Sequence, residues 1–178
     1  MEFKVENGDG IDSWKEVTLV YSAALRQMET KMQILNDEFQ HVHQYNPIEH
    51  IKARIKTPES IVKKLKRYGQ ESTIDNMVKY INDIAGIRII CSFTSDIYRI
   101  RDQRDIKVIA VKDYITYPKA SGYKSYHMIV SIPVYLSDRT VDTKVEVQIR
   151  TVAMDFWASL DHQLKYKKDI GAAADEIS

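Results

Sequence analysis

The chemistry this sequence can support begins with two carboxylates. Glu146 sits in the run Val145-Glu146-Val147-Gln148-Ile149-Arg150, whose alternation puts the apolar side chains on one face of a strand and Glu146, Gln148 and Arg150 on the other. A plain solvent-facing sheet would show the same alternation. Asp83 adds weight to the functional reading: it stands just before a second β-like run and is followed by Arg88, so carboxylates at neighbouring strand ends could share a hard cation. Mg2+ suits that arrangement, because it takes one or two carboxylates and completes its shell with water and substrate phosphates. Glu146 beside such an ion could accept the proton of an attacking hydroxyl.

Cations gather in two further places. Arg54 and Lys56 project to one side of an extended segment that runs straight into Thr57-Pro58-Glu59-Ser60, where Thr57 suits an N-cap and Pro58 the first helical position. A helix N-terminus with Lys63, Lys64, Lys66 and Arg67 on its following turns is an anion site in outline, although a solvated basic face has the same composition. The second place is the loop Lys119-Ala120-Ser121-Gly122-Tyr123-Lys124-Ser125-Tyr126-His127, which presents an aromatic ring between cations just before a strand. Such a ring can stack on a purine while the lysines hold phosphates; a turn with an ordinary edge-strand tyrosine would look similar. The sequence has no Gly-rich loop ending in Lys-Ser/Thr, no GxSxG, no HExxH and one cysteine only. His41 and His43, two apart on a helix, point to different faces and make a poor metal pair.

The elements that must position these residues follow from periodicity. Trp14, Val17, Tyr21, Ala24, Met28, Met32, Leu35, Phe39 and Val42 trace the stripe of a long amphipathic helix, capped by Asp12 or Ser13 and ended by Asn46-Pro47. Residues 51–56 read as extended, a second helix runs to about Tyr68 and is closed by Gly69, and a third from Ser72 or Thr73 carries Ile74, Met77, Ile81 and Ile84. The period then becomes two: Ile87, Ile89, Cys91 and Phe93 face one way, Arg88, Ile90 and Ser92 the other. Strands are expected at 107–111, 126–134 and 144–150. Thr151 then caps a helix bearing Ala153, Phe156, Trp157, Leu160 and Leu164, with 171–178 as a helix start or frayed end. This order predicts an α+β domain with a mostly antiparallel or mixed sheet.

With 178 residues, 44% apolar and 29% charged, the chain is expected to form one domain: an N-terminal helix over 12–45, a core over 47–167 and a tail over 168–178. A net charge of +1 gives no global pull toward nucleic acid or anionic membrane, so any anion site must be local. Cys91, in the apolar run Ile87-Arg88-Ile89-Ile90-Cys91, reads as a small buried hydrophobe. An acidic, polar start and the lack of a long apolar stretch predict no signal peptide, no membrane span and a cytoplasmic location.

Taken in order, five stretches resemble the synthetase domain of the RelA/SpoT family, most closely its single-domain small alarmone synthetases: Arg54-Ile55-Lys56-Thr57-Pro58-Glu59-Ser60, Asp83-Ile84-Ala85-Gly86-Ile87-Arg88, Gly122-Tyr123-Lys124-Ser125-Tyr126-His127, Val145-Glu146-Val147-Gln148-Ile149-Arg150-Thr151 and Met154-Asp155-Phe156-Trp157-Ala158. The likeness covers 47–167. It implies a nucleotidyltransferase-like sheet flanked by helices, over which ATP and GDP or GTP lie side by side. On this resemblance Arg54 and Arg88 sandwich adenine, and Lys56, Lys64 and Ser60 hold the ATP phosphates. Asp83 and Glu146 bind Mg2+, and Glu146 activates the 3′-hydroxyl. Tyr123 stacks on guanine with Lys112, Lys119, Lys124, His127, Gln148 and Asp155 nearby. The hydroxyl attacks the β-phosphorus and AMP leaves. The resemblance also implies a homotetramer assembled through C-terminal helices. The segment 100–106 is shorter than the helix and connection usual there, and the chain ends soon after Tyr166, where relatives continue. No His-Asp dipeptide occurs, so the family's hydrolase half is not expected. A catalytically silent nucleotide- or RNA-binding module, and another nucleotidyltransferase-like enzyme, are the competing readings.

Overall fold

A computed structural model describes residues 13–177, with side-chain surroundings through Gly171. Asp12, the alternative cap, and Ser178 lie outside the described residues. Helix α1 (Trp14–His43) is capped by Ser13, whose hydroxyl accepts the Glu16 N–H at 3.2 Å. Its buried stripe runs through Val17, Val20, Tyr21, Ala24, Leu25, Met28, Met32 and Leu35. Gln44, left-handed at φ 57°, ends the helix before Pro47. Val42 falls on the expected stripe but is exposed.

Strand β1 (Ile48–Ile55) leads to α2 (Pro58–Arg67), capped by Thr57, and α3 (Ile74–Tyr80), capped by Thr73. Helix α3 stops at Tyr80. Ile81 and Ile84, expected on its face, are instead buried in the extended connection into β2 (Ala85–Cys91). Strand β2 in turn ends at Cys91, so Phe93 does not join the apolar face; it is 62% exposed and caps α4 (Thr94–Arg101). The sequence pattern gave no sign of α4. Only Ile97 and Ile100 anchor it among apolar residues, and buried Asp96 holds its start by accepting the Phe93 N–H at 3.0 Å. A helix therefore does lie upstream of the short 100–106 connection.

Strands β3 (Lys107–Asp113), β4 (Tyr126–Tyr135) and β5 (Thr140–Thr151) follow, then α5 (Val152–Ile177). Residues 168–177, set apart in the sequence as a tail with a helix start or frayed end, continue α5. The sheet order is β1-β2-β5-β4-β3, with β2 parallel to β5 and every other pair antiparallel, which makes the sheet mixed. Its apolar face, built from Ile87, Ile89, Val145, Val147, Ile149, Met128 and Val130, packs on α1, and the same core takes in Ile61, Leu65, Ile74 and Met77. The chain is thus α+β, a five-stranded mixed sheet flanked by helices. Ile90, predicted to face outward, is buried because α5 packs across the ends of β2 and β5. Cys91 is buried and free, and burial pushes its thiol up to about 12. No helix among the described residues is long and apolar enough to cross a membrane.

Ile89 sits fully buried in the middle of β2. Ile89→Ala should therefore remove about 2–5 kcal/mol of stability, read as a lower urea midpoint at unchanged slope. A loss under about 1 kcal/mol would contradict this packing.

Candidate active site

The face of the sheet opposite α1 is built by strand register. Lys52 pairs with Arg88, Arg88 with Gln148, Gln148 with His127 and His127 with Lys112, so one polar row crosses all five strands. The adjacent row runs Arg54, Gly86, Glu146, Ile129 and Ala110. Glu146 therefore stands on the central strand with a glycine beside it. A Cβ at Gly86 would meet only Arg54 Cγ, at 3.9 Å, so the floor between Arg54 and Glu146 is open.

Asp83 lies two residues before β2, anchored where the Lys56 N–H donates to the Ile84 carbonyl at 2.7 Å. Lys56 Nζ reaches one carboxylate oxygen at 3.1 Å and Lys64 Nζ the other at 2.9 Å. Burial pushes the Asp83 carboxyl up, but the hydrogen bonds and charges of Lys64 and Lys56 outweigh it and hold the group below the usual carboxylate range. Asp83 and Glu146 line the same cleft of about 160 Å3, together with Lys52, Arg54, Arg88 and Gln148. A second cleft of about 210 Å3 is lined by Lys64, Lys112, His127, Tyr68 and, again, Glu146. Glu146 is the wall between the two.

Beside the second cleft lies an aromatic cluster. Tyr114, Tyr123 and His127 meet edge to face at centroid distances of 5.3–6.1 Å, with Lys119 over both tyrosine rings and Arg150 over Tyr123. Gly122, at φ +87°, lets the loop turn so closely that a Cβ there would sit 3.2 Å from the Trp157 ring. Thus α5 braces the loop that carries Tyr123. Arg150 donates to the Tyr123 hydroxyl at 2.8 Å, to Gln148 Oε1 at 3.2 Å and to Asp155 Oδ1 at 3.2 Å. The Gln148 amide donates to Glu146 Oε1 at 2.8 Å. The Tyr123 hydroxyl lies 3.0 Å from His127 Nε2.

The residues singled out from sequence are distributed unevenly. Arg54, Asp83, Arg88, Glu146 and Gln148 share the first cleft, Lys56 reaches it through Asp83, and Lys64 lines the second cleft while bonded to Asp83. Lys112 and His127 line the second. Lys119, Tyr123 and Asp155 belong to the aromatic cluster and its Arg150 anchor. Ser60 and Lys124 line neither cleft: the Ser60 hydroxyl accepts from Thr57 at the start of α2, and Lys124 is exposed. Sequence reasoning gave no role to Arg150, Tyr114 or Lys52. The alternation of Arg150 with Gln148 placed it on the right face, but it carries no sign that the residue is buried.

Two cation-lined clefts meeting at one carboxylate define a class of site that can hold two anionic ligands side by side. The sequence matches the family model described as the region found in RelA / SpoT proteins over residues 53–171. GTP pyrophosphokinase YwaC of Bacillus subtilis is 50% identical over 161 residues, spanning 88% of this chain and 77% of that protein. The solved small alarmone synthetase 2 of Bacillus subtilis is 48% identical with a TM-score of 0.73, covering 88% of this chain and 82% of its own. Small alarmone synthetase 1 from the same organism, solved with its product pppGpp, is 33% identical with a TM-score of 0.73, covering 86% and 80%. The chain belongs to the RelA/SpoT family.

Burial, then the charges of Arg150, Lys119, Lys112 and Arg88, lower the His127 pKa from 6.5 to about 4. The folded protein thus keeps His127 neutral where the unfolded chain protonates it. Between those two values the unfolded state binds the extra proton, so stability is complete above pH 6.5 and falls as pH drops toward 4. Melting temperature followed across this window should fall less steeply in His127→Gln; an unchanged slope would mean the imidazole is not held neutral.

Proposed function

We propose that this protein is a GTP pyrophosphokinase that transfers the β,γ-pyrophosphoryl group of ATP to the 3′-hydroxyl of GDP or GTP, making ppGpp or pppGpp. The observation that carries this reading is the position of Glu146 as the shared wall of two cation-lined clefts. Family membership and the pyrophosphokinase relatives support it. ATP is assigned to the first cleft, with adenine between Arg54 and Arg88. Its phosphates fall to Lys56 and Lys64, with Ser60 at the start of α2. The guanine nucleotide is assigned to the second cleft and the aromatic cluster beside it, its base on Tyr123 and its phosphates and edges served by Lys112, Lys119, Lys124, His127 and Asp155, with Gln148 reaching it from the first cleft.

The reaction is then chiefly one of positioning and charge neutralisation. Glu146 takes the proton of the 3′-hydroxyl, the new bond forms from that oxygen to the β-phosphorus, and the bond from the β-phosphorus to the oxygen bridging the α-phosphate breaks, releasing AMP. Mg2+ fits the donor set. Asp83 and Glu146 share a cleft, and no cluster of three or more His, Cys, Asp or Glu side chains occurs among the described residues. This is the open, two-carboxylate set that an ion arriving with phosphates needs. Bound there, the ion would neutralise phosphate charge as the β–α bridge breaks. Lys56 and Lys64 now neutralise Asp83, and a polyphosphate offers the same two ammonium groups a second anion. Both substrates are cytoplasmic metabolites, which favours that compartment.

Incubation with Mg2+, labelled ATP and GDP, GTP or no acceptor should yield AMP and a 3′-pyrophosphorylated guanine nucleotide only when both substrates are present. Glu146→Gln should lower turnover about 100-fold or more while nucleotide binding persists. Full activity in that variant, or binding with no turnover in the unaltered protein, would overturn the assignment.

The protein is also proposed to be a homo-oligomer, a tetramer on family grounds. Phe156, Leu160 and Leu164 are spaced along one stripe of α5, and all are exposed, Phe156 at 70%. Light scattering should find an oligomer that Leu160→Glu/Leu164→Glu reduces to monomer; a monomeric unaltered protein would contradict this.

A further inference from the structure

We infer that Arg150 is a positioning residue that couples the Tyr123 ring to Glu146 by setting the direction of every hydrogen bond between them. The inference rests on the reading above for the roles of Tyr123 and Glu146, but its geometry stands independently. Arg150 is side-chain buried, 8% exposed, and lines neither cleft, so its part is taken through the side chains to which it donates. A guanidinium donates and never accepts. With Arg150 Nη2 donating to the Tyr123 oxygen, the tyrosine hydrogen is turned toward His127 Nε2 at 3.0 Å. The imidazole then carries its proton on Nδ1, in keeping with its neutral state. The same Nη2 donates to Gln148 Oε1, which turns the amide NH2 toward Glu146 Oε1 at 2.8 Å. A flipped amide would face Arg150 with its NH2 and the carboxylate with its oxygen, two repulsive contacts in place of two attractive ones.

Two features hold the guanidinium where it can do this. Asp155 on α5 accepts from Nη1, and the Tyr123 ring lies against the cation at 5.2 Å. Nε, in contrast, is buried without a hydrogen-bond partner. The side chain is therefore seated by its two terminal nitrogens, at the cost of the third. A lysine would keep the charge but lose the planar fork that reaches Tyr123, Gln148 and Asp155 together.

The test combines turnover with a measurement that needs no substrate. Arg150→Lys should lower kcat about tenfold or more while leaving KM for ATP within about twofold, because a misplaced base slows chemistry while the ATP contacts assigned to Arg54, Arg88, Lys56 and Lys64 are unaltered. Gln148→Leu should give a similar loss. Adding Arg150→Lys to Gln148→Leu should change kcat little further, since the arginine acts on the base through that amide. Unchanged kcat in Arg150→Lys, or factors that simply multiply in the double variant, would overturn the inference. If the variants do not fold, 15N NMR of histidine-labelled unaltered protein decides: Nδ1–H is expected for His127, and Nε2–H refutes the directed network. Absence of turnover in the unaltered protein would sink the proposed reaction and leave the tautomer result to be judged alone.

Discussion

The parallel pairing of β2 with β5 is the constraint from which the site follows. In a parallel pair, residues at the start of one strand lie level with the start of the paired segment of the other. Ala85 opposite Val145 and Gly86 opposite Glu146 put the chain entering β2, with Asp83, at the same end of the sheet as Glu146. An antiparallel pairing would carry the chain before β2 to the opposite end. The long crossover that a parallel pair requires is filled by α4, β3 and β4, so the connection that makes the pairing possible also supplies Lys112, Lys119, Tyr123 and His127.

Electrostatics then decides how such a site can exist in a protein of net charge +1. Asp83, Lys56 and Lys64 have side chains 13–21% exposed, where leaving a charge unpaired is costly. The fold answers by pairing Asp83 with two lysines that a second anion could draw away, and Asp155 with the seated Arg150. Glu146 is treated differently. Its described partner is the neutral Gln148 amide, which orients the carboxylate without committing a full positive charge to it. Asp83, by contrast, is held in its ionised form by two ammonium groups.

How much of this could be read from the sequence depends on what fixed each feature. Local rules placed α1, α2 and the strands carrying Glu146 and Arg88, because caps at Ser13 and Thr57 and the period of two in Val145-Glu146-Val147-Gln148 are properties of neighbouring residues. Helix α4 escaped because its support is tertiary. Tyr45, far away in the chain, donates to buried Asp96 at 2.5 Å, and Arg99 donates to the same oxygen at 2.7 Å. Ile90 and Phe93 exchanged their expected environments for the same kind of reason: α5 covers one, and the turn into α4 ejects the other. Candidate site residues were legible as types on faces, yet the burial and partners of Arg150 depend on a distant loop and on α5, which no short window contains.

The central strand carries a contradiction that shapes the whole domain. Val145, Val147 and Ile149 are fully buried against the α1 side, so β5 must be covered there, while Glu146, Gln148 and Arg150 line the other side and must not be sealed by an apolar helix. The fold resolves this along the strand's length. At Glu146 and Gln148 the polar face stays open as clefts; at Arg150, where α5 begins, it closes. A charge at the closing point has to be partnered, and Tyr123, Gln148 and Asp155 all accept from it. The boundary between covered and open sheet therefore forces a hydrogen-bonded anchor to form next to the site, and it is this boundary that ties the order of the Tyr123 loop to the packing of α5 through Trp157 and Gly122.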